Sequence, residues 1–205
     1  MDRIYEIFNR LRSCNPNPTS ELVAKNEYTF CVAVLLSAQT TDKAVNSATK
    51  SLFEIADTPT KMLALGVEKL SKYIKTLGLY NNKARNIVLL SEILVNKYHS
   101  HIPENRGELE KLPGIGRKSA NVILNRLFKM EFIAVDTHVL RVSKRLALTK
   151  SHTPLAVEND LMQAIPKEFH KNASDWLVLH GRYICTAKTP NCLNCLLEDL
   201  CEKQV

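Results

Sequence analysis

The fold is decided by residues 109–125, LEKLPGIGRKSANVILN, in which a glycine turn separates two helical patterns. Pro113 ends the first pattern because it lacks a backbone donor and restricts the residue before it. Gly114 and Gly116 permit a tight turn and leave its backbone uncovered by side chains. The sequence therefore predicts two helices joined by a short, exposed turn.

This turn has two interpretations. Its exposed N–H groups meet the positive end of the second helix dipole, which makes an anion site without base preference. Arg117 and Lys118 add positive charge, and such a site suits a DNA backbone that is gripped without reading its sequence. A plain turn, with glycines needed for geometry alone, explains the same Pro-Gly-x-Gly pattern. Its place at the head of a basic segment favours phosphate binding.

That basic segment accounts for the charge of the whole chain. The 205 residues include 28 Lys and Arg against 21 Asp and Glu, a net charge of +7. Residues 111–150 alone hold nine basic and two acidic residues, so the excess lies in one fifth of the sequence. This distribution indicates a surface that faces a polyanion. A solvated helix face with a chance surplus explains the charge equally well.

Helical spacing of apolar residues runs through nearly the whole chain, which predicts an all-α fold. With 45% hydrophobic and 24% charged residues, the composition excludes a disordered or fibrous chain. No apolar run approaches the roughly 20 residues of a membrane helix, and the first residues lack a secretory signal, so an intracellular protein is expected. Only Phe132–Val135 hints at extended chain. The predicted helices begin with an amphipathic one at 4–11 and a fully apolar one at 27–38, followed by 42–54, 60–65, 67–75, 82–97, 104–111, 117–129, 137–147, 154–165 and 172–184.

Two residues have side chains suited to catalysis. Lys118 falls in the first turn of its helix, where a cation is disfavoured by roughly 0.3–1 kcal/mol. A neutral amine there is a nucleophile for Schiff-base chemistry, although simple phosphate contact explains the lysine as well. Asp136 follows an apolar run and precedes a helix, so it is predicted as an N-cap. Its second oxygen could activate a nucleophile or steady a cationic sugar. His138 fits a packing role better than that of a base.

Four of the six cysteines crowd into residues 185–201. Cys185, Cys192, Cys195 and Cys201 are separated by six, two and five residues. Disulfides are not expected without a secretory signal, so the four thiolates are predicted to bind a metal. The spacing suits a [4Fe–4S] cluster somewhat better than structural zinc, and soft thiolates accept both.

Taken together, these motifs resemble the endonuclease III family of helix-hairpin-helix DNA glycosylases with AP lyase activity. The resemblance covers nearly the whole chain. It is carried by LLSAQTTD (35–42), GLYNNKA (78–84), residues 109–125, VDTHVLRV (135–142), and WLVLHGRYIC (176–185) with the cysteines that follow.

The resemblance implies two helical domains that flank a DNA-binding cleft. One is an inserted domain of residues 21–130, with the helix-hairpin-helix at about 104–129. The other joins residues 1–20 to 131–205 and carries the [4Fe–4S] cluster in the loop 185–201. A monomer that acts on double-stranded DNA with oxidised or abasic sites, away from membranes, is expected.

The resemblance also assigns roles. Lys118 is the implied nucleophile, which attacks C1′ of an extruded damaged pyrimidine, of the thymine glycol type, and displaces the base. β-Elimination then cleaves the strand 3′ to the abasic site, and Asp136 assists. Gln39 is implied to fill the space left by the base and Leu79 to wedge into the duplex. The remaining implied DNA contacts and pocket residues are Gly114, Gly116, Arg117, Ser119, Glu110 and His138.

Two alternatives stay open. An adenine mismatch glycosylase of the same superfamily shares the turn, the aspartate and the cysteines, but it lacks a lysine at position 118 and carries a further carboxyl-terminal domain. A non-catalytic binder of DNA structures, with a zinc loop, explains the charge and the cysteines. It leaves the pairing of Lys118 with Asp136 unexplained.

Overall fold

A computed structural model describes residues 2–203, which fold into α-helices joined by turns and short loops. No β-strand occurs in this range, so the predicted all-α class is confirmed. None of the helices described is both long enough and apolar enough to cross a bilayer. The α-helices are α1 (Arg3–Cys14), α2 (Glu27–Leu36), α3 (Asp42–Thr49), α4 (Leu52–Ile55), α5 (Pro59–Ile74), α6 (Tyr80–Tyr98), α7 (Arg106–Leu109), α8 (Arg117–Phe128), α9 (Thr137–Arg145), α10 (Pro154–Ala164) and α11 (His170–Tyr183). Short 3-10 helices cover Lys167–Phe169, Cys192–Asn194 and Glu198–Leu200.

Two predicted elements, the helix at 42–54 and the extended chain at 132–135, differ from the structure, whereas the break predicted at residue 66 is confirmed. The helix expected at 42–54 is divided into α3 and α4. At the division the Thr49 hydroxyl donates to the Val45 carbonyl (2.9 Å), a back-bond that often bends a helix. The break predicted between 60–65 and 67–75 lies within α5 at Gly66, whose φ of 74° is non-helical.

The segment Phe132–Val135, predicted as extended chain, forms no strand. Its Ala134 N–H donates to the Ser174 hydroxyl of α11 at 2.7 Å, so a side chain takes the place of a strand partner. This bond is enough to satisfy a buried backbone donor without a sheet.

Residues 21–128 make one compact unit, built around α2. Every residue of α2 from Tyr28 to Leu36 is buried, as the apolar pattern predicts. The helix packs against α3, α6 and α8, while α5 lies along α6. Asn26 and Thr29 form a reciprocal capping box that fixes where α2 begins. This arrangement holds the α7–α8 turn and the end of α2 in one compact unit.

Residues 2–20 and 129–203 make the second unit. The amphipathic α1 packs against α11, where Phe8 and Phe169 lie beside Trp176 in an aromatic cluster. The Trp176 indole N–H donates to the Asn15 carbonyl at 2.7 Å and closes the end of α1. The first helix is therefore part of the carboxyl-terminal core.

Candidate functional site

The turn between α7 and α8 is anchored by its apolar residues. Leu112 and Ile115 are buried, and the Ile115 N–H donates to the Leu112 carbonyl at 3.1 Å. The Ala120 N–H donates to the Gly116 carbonyl at 2.9 Å, which marks the first turn of α8. The first N–H groups of any α-helix lack partners within the helix, so they are available to a ligand. A fixed turn followed by a helix start is the geometry of an anion site.

The two glycines of this turn serve different purposes. Gly114 has a φ of 81°, and a Cβ there would lie 2.9 Å from Leu35 Cδ1 of α2. Only glycine fits such a position without displacing its neighbours. A Cβ at Gly116 would meet no protein atom within 4 Å. The fold therefore needs glycine at 114, whereas at 116 glycine leaves open space over the backbone.

Lys118 lies in the first turn of α8 and is exposed, while the neighbouring Arg117 and Ser119 are half-buried. Glu110 is exposed directly after α7, and its N–H donates to the Arg106 carbonyl at 2.9 Å. These four residues and the two glycines thus lie on one short hairpin, as the sequence predicts. The amine of Lys118 is accessible to a substrate.

Gln39 and Leu79 share an uncommon backbone conformation. Their φ values are 55° and 58°, in the left-handed region. A left-handed residue other than glycine costs roughly 1–2 kcal/mol, so surrounding contacts have to hold it. Both side chains are exposed, and Leu79 is 62% exposed. An apolar side chain so far out of the core is suited to insertion into a partner.

Lys83, a residue that the sequence analysis did not single out, connects the segments that contain Gln39 and Leu79. Lys83, in the first turn of α6, is 5% exposed and donates through Nζ to the Leu36 carbonyl (2.9 Å) and the Thr40 hydroxyl (2.7 Å). Burial lowers the pKa of Lys83. Its backbone N–H donates to the Leu79 carbonyl at 3.0 Å. A lysine in GLYNNKA gives no signal of burial by itself, because only long-range packing covers it.

In the other unit, Asp136 is the N-cap of α9, as predicted. Its Oδ1 accepts the N–H groups of His138 (2.8 Å) and Val139 (2.9 Å), so the cap does not use Oδ2. His138 is half-buried and packs against Gly181 of α11, where an added Cβ would lie 3.0 Å from His138 Cβ. Its Nδ1 is 3.3 Å from Arg141 Nη2. These contacts give His138 a packing role.

Part of the basic segment faces inward, which corrects the charge argument. Arg141 Nη2 donates to the Gly181 carbonyl at 2.8 Å. Arg145 Nη1 donates to the Thr186 carbonyl at 2.8 Å and lies 3.3 Å from Cys185 Sγ. The carboxyl-terminal half of α9 therefore holds the end of α11 and the start of the cysteine loop. The prediction that residues 111–150 as a whole face a polyanion is wrong for these two arginines.

The four carboxyl-terminal cysteines line one cavity, together with His180, Leu146 and Lys203. Within residues 2–203, no three His, Cys, Asp or Glu side chains are placed to hold a single metal ion. All four cysteines therefore border the same space. Cys201 Sγ also accepts the Lys203 N–H at 3.4 Å, which helps to orient it.

The surroundings of these thiols favour the binding of a positively charged group. Burial raises the pKa of the Cys195 thiol, and charge on the other three sulfurs raises it further. Four thiolates so close together need a cationic core to neutralise them. Burial lowers the pKa of His180 to about 4, so its imidazole, 3.6 Å from Cys195 Sγ, is neutral at pH 7. The ring contributes a polar contact without adding charge.

Comparison with known proteins gives a consistent picture. A model of the HhH-GPD superfamily of base excision DNA repair proteins matches residues 32–167. Endonuclease III of Rickettsia prowazekii (strain Madrid E) is 53% identical over 202 residues, which cover 98% of this chain and 94% of that protein. Endonuclease III of Escherichia coli (strain K12) is 49% identical over 197 residues, which cover 96% and 93% of the two chains.

A solved structure agrees with these relatives. A trapped covalent intermediate of endonuclease III and DNA, in an estranged-adenine complex, superposes with a TM-score of 0.92. It is 42% identical and covers 100% of this chain and 97% of its own. The similarity therefore extends over both units.

Proposed function

This chain belongs to the endonuclease III family of the HhH-GPD superfamily, and on that premise we propose that Lys118 is the nucleophile of a DNA glycosylase with AP lyase activity. The observation that carries this proposal is the exposed amine of Lys118 in the first turn of α8, directly after the open backbone at Gly116. The α7–α8 turn grips the phosphate backbone of double-stranded DNA, and Arg117 and Ser119 add contacts. Acting on genomic DNA places the protein in the cytoplasm and nucleoid.

The substrate is an oxidised pyrimidine, of the thymine glycol type, extruded from the duplex. Extrusion costs a few kcal/mol of stacking, which Leu79 as a wedge and Gln39 as a plug partly replace. Glu110 lies at the edge of the pocket on the same hairpin. After it loses a proton, the Lys118 amine attacks C1′, the C1′–N bond breaks, and the base leaves with its electron pair and takes a proton from water.

The covalent intermediate then leads to the second reaction, cleavage of the DNA strand. Loss of an amine proton and opening of the sugar ring give a Schiff base between Lys118 Nζ and C1′. Removal of a C2′ proton expels the 3′ phosphate by β-elimination, and water releases the enzyme. Asp136 accepts the lysine proton or steadies positive charge through the oxygen that the helix cap leaves unused.

Borohydride trapping tests the nucleophile. Duplex DNA with one thymine glycol is incubated with the wild type, Lys118→Gln and Lys72→Gln in the presence of borohydride. We expect a covalent adduct with the wild type and with Lys72→Gln, because Lys72 is an exposed lysine of α5, and none with Lys118→Gln. An adduct with Lys118→Gln would overturn the assignment. Base release without any adduct would indicate an adenine-glycosylase type of mechanism.

We also propose that Cys185, Cys192, Cys195 and Cys201 hold a [4Fe–4S] cluster. Four thiols that line one cavity supply the ligand set of a [4Fe–4S] cluster, and their spacing along the chain favours a cluster over one zinc ion. When bound, the cluster serves as a structural cross-link that orients the loop toward DNA rather than as a redox reagent. Four Fe and four sulfides per chain with broad visible absorption support this, whereas a colourless zinc protein contradicts it.

The domain limits of 21–130 and of 1–20 with 131–205 also belong to this proposal. Limited proteolysis with mass mapping tests them. Protease-resistant fragments with ends near residues 20 and 130 support the limits.

A further inference from the structure

Lys83 occupies a position that is unfavourable for a lysine. It is buried in the first turn of α6, where the helix dipole disfavours a cation by roughly 0.3–1 kcal/mol. A buried amine is tolerated only when it is hydrogen-bonded, and Lys83 meets that need with the Leu36 carbonyl and the Thr40 hydroxyl. A core built for stability alone gains more from an apolar side chain of similar size. The lysine therefore calls for a functional explanation.

The hydrogen bonds of Lys83 hold the chain on both sides of Gln39. Leu36 O, at the end of α2, is held by Lys83 directly at 2.9 Å. The Thr40 hydroxyl accepts from Lys83 at 2.7 Å and donates in turn to the Ala38 carbonyl at 3.3 Å. Both neighbours of Gln39 are thus tied to α6, which supports its left-handed backbone.

The same lysine borders Leu79. The Lys83 N–H donates to the Leu79 carbonyl at 3.0 Å and closes the first turn of α6 directly after that left-handed residue. One side chain and its own backbone thus connect Gln39 and Leu79, two exposed residues of this unit with left-handed backbone. Each is an exposed residue that its neighbours hold in a conformation costing roughly 1–2 kcal/mol.

We propose that Lys83 is a positioning residue that fixes Gln39 and Leu79 relative to each other for entry into a distorted duplex. This rests on the proposed function, because it deepens the roles of Gln39 and Leu79 there. Lys83 touches neither substrate nor the reacting atoms. Its loss misplaces the plug and the wedge and leaves the chemistry of Lys118 intact.

Two substrates separate positioning from chemistry. Single-turnover base release from duplex thymine glycol needs extrusion, whereas borohydride trapping on a single-stranded abasic oligonucleotide needs none. For Lys83→Met we expect base release to slow about tenfold, equivalent to about 1.4 kcal/mol, with trapping on the single strand unchanged. Fluorescence of 2-aminopurine beside the lesion should show less unstacking. Lys72→Met, an exposed lysine of α5, is the control that leaves all three readouts unchanged.

A second pair of variants, at Thr40, tests the same role in case Lys83→Met does not fold. Thr40→Val removes the hydroxyl that relays the contact to Ala38, and Thr40→Ser keeps it. We expect Thr40→Val to slow duplex base release and Thr40→Ser to restore it. The positioning role would be refuted if Lys83→Met lost base release from the duplex and trapping on the single strand equally. It would also be refuted if neither Thr40→Val nor Lys83→Met slowed base release from the duplex. Failure of the wild type to form any single-strand adduct would instead refute the proposed function.

Discussion

Asp136 combines a structural and a proposed chemical task, and two substitutions separate them. Asparagine caps a helix about as well as aspartate, whereas alanine loses the bonds to the His138 and Val139 N–H groups. We expect Asp136→Asn to keep the free energy of unfolding and to lose most of the base-release activity. Asp136→Ala should lose activity and also about 0.5–2 kcal/mol of stability. Urea unfolding and single-turnover kinetics check both. Full activity in Asp136→Asn would limit this residue to capping.

The two turn glycines give a second matched pair. Gly114→Ala should lower stability by at least about 1–2 kcal/mol, because its left-handed backbone is strained and Cβ approaches Leu35. Gly116→Ala should leave stability nearly unchanged, since its Cβ meets no protein atom. If DNA approaches this backbone, Gly116→Ala still weakens duplex binding, which titration by fluorescence anisotropy measures. Unchanged binding would mean that the open space is not used.

Single residues also mark the limit of sequence reasoning. The cap at Asp136 follows from local pattern, because an Asp between an apolar run and a helix has few other uses. The burial of Lys83 does not, because the atoms that cover it come from the end of α2, more than forty residues away along the chain. Roles of Lys118, Gln39 and Leu79 stay predictions until the experiments above are done.

Among the helices, α7 is short and depends on its neighbours for support. Glu108 receives bonds from Lys111 (2.5 Å), Lys97 (2.8 Å) and the Tyr98 hydroxyl (2.5 Å), which tie α7 to the end of α6. These bonds hold the pKa of Glu108 at about 2, below its ordinary value. The carboxylate thus braces one arm of the hairpin.

This depressed pKa predicts an acid-sensitive hairpin. The stabilisation by Glu108 is complete above its unfolded pKa of roughly 4.3 and is lost as pH falls toward about 2. We therefore expect the wild type to be more stable than Glu108→Gln at pH 7, and the difference to shrink between about pH 5 and 2. Paired urea titrations across this range measure it. A difference that is constant with pH would contradict the prediction.

Element boundaries were predictable where capping residues mark them and not where packing sets them. Thr153 and Pro154 predict the start of α10, and the Thr153 hydroxyl accepts the Ala156 N–H at 3.3 Å. The hydrogen bonds of Arg141 and Arg145 to backbone carbonyls were not predictable from the sequence. A charged residue on an amphipathic helix is expected to be exposed unless its hydrogen-bond partners are known. Cation count alone therefore overstated the basic surface.

For the molecule, the family and the all-helical architecture expected from the sequence are confirmed. Spacing of the cysteines and the glycine turn carried that identification, because each constrains several positions at once. The return of α1 to the carboxyl-terminal core could not be read from α1 itself, since its apolar face fits any complementary helix.

This return makes the stability of the second unit depend on its first helix. Phe8 is fully buried against Phe169 and Trp176. We expect Phe8→Ala to cost about 3–5 kcal/mol, whereas Leu155→Ala, at a half-exposed position of α10, should cost less than about 0.5 kcal/mol. Urea unfolding followed by Trp176 fluorescence reports on this unit. Equal effects of the two substitutions would show that α1 is not integral to the core.

The discontinuous second unit also sets an order of events on the ribosome. Residues 21–128 can collapse as soon as they emerge, whereas α1 must wait for Phe169 and Trp176 to be translated. At roughly 5–20 residues per second, that delay is on the order of 10 s. During this interval the apolar face of α1 has no partner and is exposed on the nascent chain. A chaperone that binds newly made polypeptides can cover this face until Phe169 and Trp176 are made.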